Sequence, residues 1–162
     1  MPNVGLARHF FDHLIKRDKT QQFKPGLAVS WRALDDTTWE FKLRKDVKWH
    51  DGSPVTPDDV LFTVERIKDS NLKTVAGGYG RFLLGKEFTK INDHTIHVKT
   101  EKRYPLMIED MANFPIVSSK HAAGAKTEDF NSGKPRQVDA FVLPWTVAAV
   151  YGARQIEHRI RI

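Results

Sequence analysis

Apolar and polar residues alternate most clearly between Ala28 and Trp49. Trp39, Phe41 and Leu43 fall on one side of an extended segment, with Glu40, Lys42 and Arg44 on the other. A side-chain period of two predicts a half-buried strand from Thr38 to Arg44. Ala28 to Leu34 reads as its hairpin partner, with Asp35-Asp36-Thr37 as the turn. Val47 and Trp49 carry the alternation past Asp46, so Trp39 and Trp49 are both expected in the core.

The period then changes. Asp51-Gly52-Ser53-Pro54 breaks the strand, and Thr56-Pro57-Asp58-Asp59 opens a helix expected to run to about Asp69. Thr56 suits the N-cap, Pro57 the first helical position, and the two carboxylates face the positive end of the helix dipole. Val60, Leu61, Val64 and Ile67 share the helix's apolar side. Ser70 to Gly80 reads as a glycine-bearing loop. A second hairpin pairs Phe88–Ile91 with Thr95–Lys99 through Asn92-Asp93-His94. A short helix is expected around Leu106 to Met111, and a short buried strand over Pro115-Ile116-Val117-Ser118. Upstream, Leu6 to Leu14 predicts a short helix, followed by a polar stretch from Lys16 to Lys24 and a Pro25-Gly26 turn.

The 162 residues suffice for one domain with its own core. The absence of cysteine excludes disulfides, thiolate metal sites and cysteine nucleophiles. No run of 18 or more apolar residues predicts a membrane-inserted helix, and Met1-Pro2-Asn3-Val4 lacks the start of a secretory signal. The net charge of +6 comes from interleaved signs without a dense basic block, which argues against a nucleic-acid face.

Candidate chemistry is sparse. Gly80 to Lys86 matches the front of a phosphate-binding loop, yet Glu87 stands where magnesium needs a hydroxyl. His9 and His13 have chelating helical spacing without a third ligand nearby, and His94 and His97 would meet from different faces. No serine or threonine carries a nucleophile motif or an evident base. Asp58 and Asp59 point apart on a helix start, which suits dipole capping better than paired acid and base. These residues point to no enzyme, no cofactor and no metal.

Pro25 to Trp31 and then Thr38 to Val60 (TWEFKLRKDVKWHDGSPVTPDDV over the second stretch) resemble the signature of family 5 extracytoplasmic solute-binding proteins. Phe10 to Leu14 is similar to that family's F-D-x-L, and Pro115 to Lys120 to its I-V-S-x-K. The resemblance implies an α/β periplasmic-binding-protein-like fold of type II, here an α+β portion made mainly of the extra domain, with antiparallel hairpins and short helices. It implies residues 1–26 as a remnant of lobe I, 27–134 as the extra domain and the return toward lobe I, and 135–162 as an atypical tail. It also implies a peptide or related solute as ligand, ABC permease subunits as partners and a periplasmic location, or a cytoplasmic one for a chain without a leader. In some relatives the loop after the signature helix nears the ligand, which makes Gly78 and Tyr79 candidate contacts against the plainer reading of an exposed loop tyrosine.

After Lys134 the family's glycine-rich motif gives way to Pro135-Arg136-Gln137-Val138. A shifted reading frame or a truncated gene would account for that, and a receptor lacking its second lobe is expected not to bind ligand alone. The rival reading is a small basic domain that binds a protein partner or nucleic acid.

Overall fold

The computed structural model describes residues 12–49, 51–68, 79–113 and 115–124. The alternating stripe becomes an inner strand of a four-stranded antiparallel sheet. Its strands are β3 (Ala28–Ala33), β4 (Thr38–Leu43), β5 (Lys86–Asn92) and β6 (Thr95–Thr100), ordered β3-β4-β6-β5. Both predicted hairpins therefore form, and they meet through β4 and β6, where Phe41 faces Ile96 and Trp39 faces Val98.

Register makes one face apolar. Trp31, Phe41 and Ile96 form one row across it, and Trp39, Val98 and Phe88 the next. Helix α1 (Pro57–Lys68) contributes Val60, Val64 and Ile67 to the same core. Each such side chain contributes about 1.5–3 kcal/mol on leaving water. The opposite face is polar. There Glu40 lies between Arg32 (2.8 Å) and His97 (3.6 Å) across three strands.

Trp49 is the core aromatic, with 1% of its surface exposed, whereas Trp39 is only half-buried and packs against the cluster's edge. The expectation that Trp39 anchors the core is corrected accordingly: it lies near the hairpin's turn, opposite exposed Ala33.

Three further expectations change. Asp12, His13 and Leu14 are not helical, because their carbonyls accept from backbone distant in sequence: Ile116 N–H reaches Asp12 (3.0 Å), Leu27 N–H reaches His13 (3.0 Å) and Ala28 N–H reaches Leu14 (2.9 Å). The rest of that predicted helix lies outside the described residues. The polar stretch after it carries a two-stranded ribbon, β1 (Ile15–Arg17) with β2 (Phe23–Pro25). Asp18 closes the ribbon by accepting the N–H groups of Thr20 (2.8 Å) and Gln22 (3.0 Å), a local bond that hydrophobic periodicity does not register. Residues 115–118 pair with no strand, although Ile116 and Ser118 are buried. Two short helices, α2 (Met107–Met111) and α3 (Ser119–Ala122), follow the sheet in the chain.

Gly26 has a reason to be glycine. A Cβ there would stand 2.4 Å from the His13 carbonyl oxygen, so the backbone passes too close for any side chain.

Candidate functional site

The turn after Trp49 and the start of α1 come together around two carboxylates. Asp59 sits in the first turn of α1, 4% exposed. One of its oxygens accepts from the Trp49 indole N–H (3.2 Å) and the Thr56 backbone N–H (2.9 Å). The other accepts from the Ser119 N–H and hydroxyl, both at 2.8 Å. Helix α1 begins where the sequence predicts, but the cap works in reverse. The Thr56 hydroxyl was expected to accept from a helix N–H; instead the Asp59 side chain reaches back to the Thr56 N–H, and the Asp59 N–H bonds the Thr56 carbonyl (3.1 Å).

Asp51 is the second carboxylate. Lys120 Nζ stands 2.8 Å from its Oδ2 and His121 Nε2 stands 2.9 Å from the same oxygen, while Ser53 donates both its N–H (2.8 Å) and its hydroxyl to Oδ1. The Lys120 ammonium, then the two Ser53 donors and His121, hold its carboxyl far below the usual carboxylate range. Gly52 turns here with φ 84°, a conformation that glycine adopts without strain. The Asp51-Gly52 and Ile116-to-Lys120 motifs, far apart in sequence, are thus neighbours in space.

An open groove of about 810 Å³ lies at the far end of α1. Ile67 and Leu83 give it apolar walls, with Lys68, Arg81, Lys99 and Glu101 among its charged residues. Tyr79 immediately precedes the groove, at the N-terminus of a 3-10 turn (Gly80–Phe82). It is half-buried and packs on the core, so the plainer reading of an exposed tyrosine is corrected. Gly78 lies outside the described residues, as does His9.

The phosphate-loop spacing ends on Lys86, whose ammonium is committed elsewhere. The side chains of Lys86 and Asp110 are 1% and 8% exposed and lie 2.8 Å apart. Tyr104 donates its hydroxyl to Asp110 (2.7 Å) and lays its ring 3.9 Å from the Lys86 ammonium. That bond to Asp110, reinforced by burial, pushes the phenol above its ordinary value. Among the described residues no group of three or more histidine or acidic side chains is placed to hold a metal ion. No described helix is long and apolar enough to cross a membrane.

Asp59 and Lys86 were missed as organising residues, though each left a signal. Asp59 follows Thr56 at capping-box spacing. Lys86 shares the parity of Phe88, which turns it toward the core.

The sequence model of bacterial extracellular solute-binding proteins, family 5 middle region, matches residues 22–143. The chain belongs to that family. Among family 5 relatives, the periplasmic murein peptide-binding protein MppA of Escherichia coli K12 is 27% identical over 131 residues, covering 70% of this chain and 24% of its own length. The periplasmic oligopeptide-binding protein OppA of the same organism is 32% identical over 120 residues, covering 65% and 22%. The chain therefore spans about a quarter of the length of these curated relatives. The solved structure of Burkholderia pseudomallei OppA superposes with a TM-score of 0.68 at 25% identity, over 78% of this chain and 28% of that one. Campylobacter jejuni NikZ, solved with Ni(L-His), gives 0.66 at 25% identity, over 75% and 25%. The antiparallel sheet with its helices matches the fold of these periplasmic binding proteins.

Proposed function

We propose that this chain supplies the sheet domain of the substrate-binding component of an ABC importer, with peptides or related solutes as the ligand class. In this reading residues 27–134 form the family's extra domain, 1–26 belong to the first lobe and 135–162 form an atypical tail; the receptor works in the periplasm beside permease subunits. What carries the reading is the family 5 match over residues 22–143, which takes in the Trp49-to-Asp59 turn and the return segment it holds. In this reading the described residues serve as scaffold and bind no peptide or nickel complex tightly by themselves. Tyr79, which precedes the groove, and its sequence neighbour Gly78 are the residues proposed to approach a ligand held by the remaining lobes.

A chimera tests this. Residues 12–124 replace the corresponding region of Escherichia coli OppA, and the product is expressed in cells lacking their own oligopeptide-binding protein. Restored uptake of a labelled tripeptide is the expected result. A chimera that folds, reaches the periplasm and restores no uptake would overturn the assignment.

A further inference from the structure

The segment from Ile116 to Ala122 returns from the sheet domain beside the point where the chain comes in, since the Ile116 N–H bonds the Asp12 carbonyl. Ile116 is its apolar anchor. Beyond Ile116 the attachment is mostly polar and comes from two places. Helix α1 provides the Thr63 hydroxyl to the Val117 N–H (3.1 Å), Asp59 to Ser119 (2.8 Å) and Arg66 to the Ala122 carbonyl (3.4 Å). The turn after Trp49 provides Asp51 to Lys120 and His121.

We propose that Asp59 and Asp51 form a two-point latch that fastens this return segment, allowing it to open as a unit while the sheet stays closed. The two points differ in strength for a physical reason. Asp59 is buried with both oxygens occupied, and hydrogen bonds to a charged acceptor away from water are strong. Asp51 meets Lys120 at the surface, where two-thirds of the lysine side chain is exposed and the attraction is screened by salt. The first point holds the segment and the second trims its opening rate. A segment held this way unlatches at a lower free energy than the sheet, whose strands share a common apolar face. The direction in which the chain leaves the domain is then set by whether the latch is closed. In a hinge-closing receptor this step would bias lobe orientation, a use that rests on the receptor reading; the latch itself does not.

Native-state hydrogen exchange on the whole chain tests the latch without any ligand. In Asp59→Asn the amides of Val117, Ser119 and Ala122 should exchange about tenfold faster or more, with those of Phe41 and Ile96 changed much less. Asp51→Asn should accelerate the same three amides by roughly threefold, an effect that shrinks in about 0.5 M salt. Lys120→Ala should mimic Asp51→Asn and add little to it in the double variant. Equal acceleration in sheet and return segment would overturn the proposal, because the segment would then open only with the whole fold. Unchanged exchange at Ser119 in Asp59→Asn would overturn it as well.

Discussion

The four-stranded sheet and the return segment are held by different physics. The sheet buries Phe41, Ile96 and Val98 completely, and its register follows from alternation over two hairpins. The return segment buries Ile116 but depends for its course on Asp59, Asp51 and Thr63, which belong to other elements. Apolar packing is spread over many atoms and tolerates small shifts. A carboxylate that satisfies four donors does not. The sheet domain thus has a redundant half and a half that rests on single side chains.

Substitutions sharpen this contrast, beginning with the largest effects. Lys86→Met leaves the Asp110 carboxylate buried without its cation and should cost about 3–5 kcal/mol in denaturant unfolding. Adding Asp110→Leu should recover most of that loss, since a buried pair gains little over an apolar replacement. Equal damage from the single and double variants would mean that the pair itself is strongly stabilising. Trp49→Ala should also cost about 3–5 kcal/mol, because it empties the largest core site and frees an Asp59 oxygen. Trp39→Ala, at the edge of the same face, should cost clearly less in the same titration; equal losses would restore Trp39 as a core anchor.

Smaller effects come next. Gly26→Ala forces a Cβ toward the His13 carbonyl and should cost about 1–3 kcal/mol, the usual range for overpacking. Its signature should be loss of exchange protection at Leu27 and Ala28 before the sheet is affected. The least effect is expected from Asp51→Asn, and pH distinguishes it. The Asp51 carboxyl is depressed in the folded chain, so its contribution is fully present above the unfolded value of about 3.9 and is lost as pH falls below it. The gap in thermal midpoint between wild type and variant should therefore persist above about pH 3.9 and close progressively as pH falls below it. A gap that widens below about pH 3.9 would contradict the depressed Asp51 carboxyl.

Legibility in the sequence follows the same division. Both hairpins and the start of α1 could be read because period-two alternation and the Thr56-Pro57-Asp58-Asp59 start are local signals. The β1–β2 ribbon could not, since Asp18 organises it through backbone N–H groups rather than through apolar side chains. Residues 12–14 were misread as helix because Leu14 is apolar and buried, while the partners of their carbonyls at Leu27, Ala28 and Ile116 are distant in sequence. Asp59 read as a dipole cap; that it also binds Ser119 depends on a contact across the fold. Family resemblance pointed to the region around Gly78 and Tyr79, whereas the packing of Tyr79 on the core comes from residues distant in sequence.

Side-by-side calorimetric titration of this chain and of the OppA chimera, with a pooled di- to pentapeptide library, tests the central claim most directly. If residues 12–124 act as the proposed scaffold, saturable heat is expected for the chimera and none for the chain, since a hinge-closing receptor buries its ligand between lobes. Stoichiometric binding by the chain alone, at micromolar affinity or tighter, would contradict it.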